Sequence, residues 1–332
     1  MKAERGSAAA TSGRMPLDEQ ILHVHVAMAN LAHGRALNEI AEEIGRSRFV
    51  TARMVRRARD LGLVEVRPTV AEPIDAELST LLARRFGLRS ALVVAAPSSG
   101  DAEVREVLAA VTARYLRETV QEDDVLGVAP GRTLVRAARE IDELACADVV
   151  QLTGIGWPRL DDGAEVVSAL GRAAGGATFP LYVPILIDPE AAPILRHPAL
   201  TETMRRFRHV RTAFLTIGGW PHSSLLARIL AENGEREDFE ERGVVAEIGT
   251  TLLDLQGRSV GGLEGRFIGI SEDELRAVPL RVAIGGGEWK QQAVLATLRS
   301  GLAHVLITDV RTAELALEAE CGRDGAGSPG GA

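Results

Sequence analysis

Six arginines, Arg46, Arg48, Arg53, Arg56, Arg57 and Arg59, fall inside one stretch that contains no Asp or Glu. Guanidinium groups hold phosphates in a fixed fork geometry, and near the start of a helix they also reach the acceptor edges of bases. A second group of polar residues, Gly131-Arg132-Thr133, follows the apolar run ending at Val128. At a strand-to-helix junction, a glycine that admits close approach, free helix-start amides, a guanidinium and a hydroxyl make a phosphate cradle. The third is the loop Gly285-Gly286-Gly287-Glu288-Trp289-Lys290. The chain has only two lysines, Lys2 and Lys290, and the second offers a point charge to phosphate or a reactive amine.

Several other chemistries are excluded by spacing. Gly154-Ile155-Gly156 has Arg159 where a dinucleotide fingerprint needs its third glycine, and Gln291 follows Lys290 where a Walker motif needs Ser or Thr. Cys146 and Cys321 belong to no metal or disulfide spacing, and His23 and His25 diverge on a helix, so no metal and no cofactor is expected. The net charge is -8, yet the segment Arg46 to Arg59 carries +6, leaving -14 elsewhere. A basic module on an acidic chain is expected where only that module meets an anion. Met1 to Pro16 has no hydrophobic signal core and no apolar run approaches a membrane span, so the expected location is the cytoplasm, with no membrane partner.

The elements that must position these residues follow from periodicity. Leu17 to Ala32 and Leu37 to Ile44 read as helices, Gly45 as a stop, and Ser47 as the N-cap of a third helix to about Asp60, followed by a short strand over Leu63 to Arg67. On the third helix Thr51, Met54, Val55, Ala58 and Leu61 make one buried stripe, which turns Val50, Arg53 and Arg57 outward. This is a helix-turn-helix of winged-helix-like type. Arg48, Val50 and Arg53 lie near the start of that helix, where bases are read, and Arg56, Arg57 and Arg59 lie later, where phosphates are met; Ser47, the N-cap, opens the DNA-binding set. The DNA-binding domain spans 17–67, a linker 68–73, and a second domain 74–320, to which the resemblance described below assigns effector binding and oligomerisation. In the last, helical periodicity over Ile74 to Phe86 leads into alternating strands and helices. The strands are Ser90 to Ala96, Asp124 to Val128, Asp148 to Leu152, Val210 to Ile217, Arg281 to Ile284 and His304 to Thr308; the helices include Asp101 to Thr119 and Arg132 to Leu144. The fold class is α/β, a Rossmann-like parallel sheet with helices on both faces and a ligand beyond the carboxyl ends of the strands.

Several segments, in order over Leu17 to Leu317, resemble the SorC family of bacterial sugar-responsive transcriptional regulators. They include Glu39-Ile40-Ala41, Ser47-Arg48, Arg56 to Leu63, Leu126-Gly127-Val128 with Gly131 to Leu134, Val149 to Leu152, Leu181 to Asp188, Ile217-Gly218-Gly219, Glu247 to Asp254, Gly285 to Lys290, and Leu306 to Asp309. The resemblance implies a tetrameric regulator of carbohydrate metabolism bound to double-stranded operator DNA. Its effector domain would have the fold of sugar-phosphate isomerases and bind a sugar or sugar phosphate through Gly131, Arg132, Thr133, Thr153, Gly154, Glu247 and Lys290. Three positions depart from the family's usual pattern: Pro130 and Trp289, which bear on the ligand, and Phe49, which replaces a common proline and bears on the operator. The competing reading is an isomerase or deaminase using Glu247, Asp254 and Lys290 as acid, base and amine. A purely architectural DNA-binding protein leaves the α/β domain without a role.

Overall fold

The computed structural model describes residues 15–65, 73–97, 100–145, 147–156 and 161–326, with the side chains of 161–164 and 323–326 left aside. Two compact units divide at Val70. The first contains α1 (Leu17–Leu31), α2 (Leu37–Glu43) and α3 (Arg48–Asp60). Their apolar faces meet in a small core of Val26, Ala29, Ile40, Met54 and Val55. Gly45 takes a left-handed conformation (φ 62°) between α2 and α3, and the Val50 amide donates to the Ser47 hydroxyl at 3.4 Å, capping α3. His23 is buried against the Glu19 carbonyl whereas His25 faces Glu43, so the two imidazoles diverge as their spacing requires.

Three expectations for this unit need correction. Val50 is half-buried and packs on the core with Leu37 and Ile44, because the turn at Gly45 folds the end of α2 back against the first turn of α3 and widens the buried arc there. Leu61 is 51% exposed: it is the C-cap of α3, and Gly62 turns the chain (φ 66°), so helical period no longer governs its direction. Leu63 to Glu65 form no strand, and the rest of the expected strand, Val66 and Arg67, lies outside the described residues.

The second unit follows the order α4 (Ala76–Phe86), β1 (Ser90–Val94), α5 (Asp101–Thr119), β2 (Asp124–Ala129), α6 (Arg132–Ala138), β3 (Ala147–Gln151), α7 (Asp161–Ala174) and β4 (Thr178–Phe179). Then come α8 (Pro198–Arg206), β5 (Thr212–Gly219), α9 (Leu225–Glu232), α10 (Arg236–Glu241), β6 (Val244–Ile248), β7 (Thr251–Asp254), α11 (Glu272–Ala277), β8 (Leu280–Ile284), α12 (Gln291–Ser300), β9 (Val305–Asp309) and α13 (Val310–Ala326). Seven strands form one parallel sheet in the order β1-β9-β8-β5-β2-β3-β4. Successive strand residues alternate between two cores, as a doubly covered sheet demands. Val150 and Leu152 face the α12 and α13 side, while Leu126, Val128 and Val149 face α5, α6 and α7.

Helix α6 ends at Ala138, six residues before the expected Leu144. Ile141 and Leu144 keep helical spacing, but the chain turns and the Leu144 amide donates to the Ala173 carbonyl, burying both against α7. The antiparallel hairpin β6–β7 on the end of β5 departs from the expected strand-helix alternation. Its second face closes over α9 and α10 in a satellite core with Trp220, Leu226 and Phe239. Among the described residues no helix is long and apolar enough to cross a membrane.

Candidate functional site

A cavity of about 560 Å³ opens at the carboxyl ends of the parallel strands. The order of the sheet explains its place: consecutive crossovers leave β2 and β5 as neighbours running to opposite sides of the sheet, and the crevice forms beyond them. Gly131, Arg132, Thr133, Thr153, Gly154, Glu247 and Lys290, taken from separate stretches of sequence, all line it. Asp254 does not; it accepts from the amides of Gln256 and Arg258 and pairs with the Arg258 guanidinium at 2.7 Å. Of the three groups considered for catalysis, only Glu247 and Lys290 therefore share the site.

Each wall is held from behind. Thr216 on β5 donates its hydroxyl to the Pro130 carbonyl at 3.1 Å, and a Cβ on Gly131 would collide with the Thr216 side chain, so glycine lets the two turns touch. Gln151 at the end of β3 donates to the Thr153 carbonyl at 2.8 Å, with its carboxamide oxygen accepting from the Leu181 amide. Gly154 continues the wall, its amide donating to the Ile268 carbonyl. In the β5–β6 pair Gly218 lies opposite Glu247, whose side chain occupies the space a Cβ at 218 would need.

Glu247 and Lys290 set the electrostatics. Both keep part of their surface on the cavity, yet their charged ends are largely enclosed by protein. Burial pushes the Glu247 carboxyl up to about 7, against the opposing pull of the Ser224 hydroxyl (2.9 Å), the Lys290 charge and the amides of Leu225 and Leu226 at the start of α9. Desolvation outweighs all of these favourable contacts. The Lys290 ammonium is brought down to about 8, first by burial and then by Arg132, with Glu247 opposing. At neutral pH the site thus holds a mostly protonated lysine beside a carboxyl poised between donor and acceptor, able to serve both lone pairs and protons of a hydroxylated ligand.

The lining includes five cationic side chains, Arg105, Arg132, Arg228, Arg236 and Lys290, against two carboxylates, Asp101 and Glu247. Arg236 is committed to Glu237 and Glu240, whereas Arg105 and Arg228 form no ion pair among the described residues. Sequence reading missed Arg105, Arg228, Ser224 and His222. Asp101 and Arg105 do carry a signal, since they occupy the first turns of the α5 stripe that continues as Leu108. Arg228 and His222 carry none: His222 lies in the turn after β5 and Arg228 on α9, and only tertiary packing brings them to the cavity. His222 lies against the exposed Trp289 ring (centroids 4.6 Å apart), placing an aromatic pair beside the Lys290 loop.

On the first unit, Ser47, Arg48, Arg53, Arg56 and Arg57 are all exposed, and Val50 supports the helix from its core side. Phe49, Arg53 and Arg56 follow one another at helical spacing on the face opposite Thr51, Met54, Val55 and Ala58. Phe49, one of the positions that depart from the family's usual pattern, is 85% exposed on this outward face.

A basic three-helix module and an α/β domain with a cationic cavity at its strand ends define a ligand-binding regulator of DNA. Residues 74–318 match the family model "Putative sugar-binding domain" (Sugar-bind), and the chain belongs to that family. It is 27% identical over 311 residues to the deoxyribonucleoside regulator of Bacillus subtilis (90% of this chain, 98% of that one). It is also 25% identical over 312 residues to the transcriptional regulator LsrR of Klebsiella pneumoniae (91% and 94%). The full-length sorbitol operon regulator SorC of Klebsiella pneumoniae has the same fold, with a TM-score of 0.66 at 21% identity over 90% of this chain and 99% of that one.

Proposed function

We propose that the cavity binds a sugar phosphate and that its occupancy sets the affinity of the helix-turn-helix for operator DNA upstream of carbohydrate-metabolism genes. The observation that carries this reading is the excess of cations around a cavity of about 560 Å³, a size suited to a small ligand. Lys290, Arg132 and the Gly131 to Thr133 turn hold the phosphate; Glu247 and the Thr153–Gly154 turn take the hydroxyls. Residues 17–67 bind double-stranded DNA through Ser47, Arg48, Arg53, Arg56 and Arg57, with Val50 buttressing the helix. Residues 68–73 connect, and 74–320 bind effector and assemble the chain as a dimer or tetramer in the cytoplasm. The site is a binding site rather than an active one: Glu247 is engaged by Ser224 and two amides, and Asp254 lies elsewhere.

The test is calorimetry of the full chain against phosphorylated and free sugars. Binding confined to phosphorylated sugars, with a matching rise in Tm, supports the reading. Turnover of a sugar phosphate, lost in Glu247→Gln, would replace it with the enzyme reading.

A further inference from the structure

Helix α1 has two apolar faces, and the helix-turn-helix core uses only one. Leu22, Val26 and Ala29 point into that core. On the opposite side Leu17 is 71% exposed, Ile21 62%, Met28 40% and Leu31 39%, with Val24 half-buried between them. The spacing 17, 21, 24, 28, 31 alternates four and three. At about 100° per residue these five side chains fall within roughly 80° of one another, the narrow 3.5-residue seam that pairs one helix with another. Asp18 and His25 border one side of it and Gln20 the other with polar side chains, as the edge of a helix pair does.

We infer that this seam is the contact between α1 of one chain and α1 of a second copy when two helix-turn-helix units occupy adjacent half-sites. The inference rests on the DNA-reading role proposed above. A single recognition helix makes too few base contacts for selectivity, and a two-fold pair doubles them. Residues 1–14 offer mainly alanines and Met1 as apolar matter, a poor match for five large aliphatic positions. Val24 lies midway along the seam. A two-fold axis through it brings Leu17 against Leu31 and Ile21 against Met28 of the second copy. A 15-residue helix presents only two heptads, less than the roughly 800 Å² per partner of a free-standing interface. The pairing therefore adds to contacts that DNA or the rest of the chain supplies, and it fixes the half-site spacing.

Two measurements on the full chain test this. In a background with Cys146 and Cys321 changed to Ser, Val24→Cys under mild oxidation should give a disulfide-linked dimer as its main product, while Glu42→Cys, exposed on α2, should not. Separately, wild type selecting from a random duplex library should enrich two half-sites at one spacing. Ile21→Glu/Met28→Glu, altered only at exposed positions, should lose that spacing and bind the selected duplex about a hundredfold more weakly. A Val24→Cys chain that forms no disulfide-linked dimer, or a charged variant that keeps the spacing, overturns the inference and assigns the seam to another part of the same chain. Absence of any enriched sequence with wild type would overturn the DNA-reading role instead, and the cross-link alone then decides whether the seam pairs two copies.

Discussion

The Gly287 amide donates to Asp309 Oδ2 at 2.8 Å, tying the glycine loop that carries Lys290 to the end of β9. The same buried carboxylate accepts from the Thr312 hydroxyl at 2.6 Å and the Thr312 amide at 3.0 Å, capping the first turn of α13. Asp309→Ala leaves these donors without their acceptor. It should cost about 3 kcal/mol of stability and weaken sugar-phosphate binding beyond what the lower Tm explains, because the loop loses its anchor. Asp309→Asn should fall between, since its carboxamide oxygen can still accept from one of these donors. Thermal melts with and without ligand check both; an unchanged melt for the alanine variant refutes the anchoring role.

Stability should also depend on pH in a way that identifies Glu247 and Lys290. The Glu247 pKa is raised to about 7 in the folded chain, so between its ordinary value of 4.5 and about 7 the native state holds a proton that the unfolded state has lost. Stability from this group therefore falls as pH rises through that window, by roughly 3 kcal/mol. Lys290, lowered to about 8 from 10.5, acts in the opposite sense: stability rises from about pH 8 toward 10.5 as the buried charge is relieved. Glu247→Gln should flatten the acidic limb alone. A variant with the same slope between pH 4.5 and 7 as wild type contradicts the assignment.

The proposed DNA contacts assign reading and holding to different residues of α3. Arg53→Ala should change the preferred base at one position, costing roughly 1–3 kcal/mol on the best site and little on others. Arg57→Ala should weaken all duplexes alike and flatten the salt dependence of binding. Affinity measured on matched and scrambled duplexes over a salt series distinguishes them, and equal sequence-independent losses reject the assigned face.

Phe49 should read a thymine methyl group. Its ring stands on the ridge shared with Arg53 and Arg56 and is 85% exposed in the first turn of α3. Phe49→Ala should remove a thymine preference at one operator position, at a cost of about 1 kcal/mol. Replacing that thymine by uracil should weaken wild type by a similar factor and leave the variant indifferent.

Much of this was legible in the sequence because the signals are local. The strands of the parallel sheet are short apolar runs bounded by turns, and Ser47 and Gly45 announce the boundary of α3. The glycine loops mark the cavity because a side chain at Gly131 would collide with Thr216 behind it. Long-range packing was not legible. Ile141 and Leu144 have helical spacing yet are buried by a turn against α7. Val50 packs on the core beside Ile44, and Arg228 reaches the cavity from α9, whose placement at the strand ends has no one-dimensional signature.

Coupling of the cavity to the DNA-reading helix through a phosphorylated ligand is probed without intermediaries by DNA affinity, with and without sugar phosphates, for wild type and Lys290→Ala. Wild-type affinity should shift when a phosphorylated sugar is added and not when the free sugar is. Lys290→Ala, short of one cation at the phosphate, should bind ligand-free DNA as wild type does and need roughly 30- to 1000-fold more ligand for the same shift, equivalent to about 2–4 kcal/mol. A lysine variant that responds at the same ligand concentration as wild type would contradict the coupling.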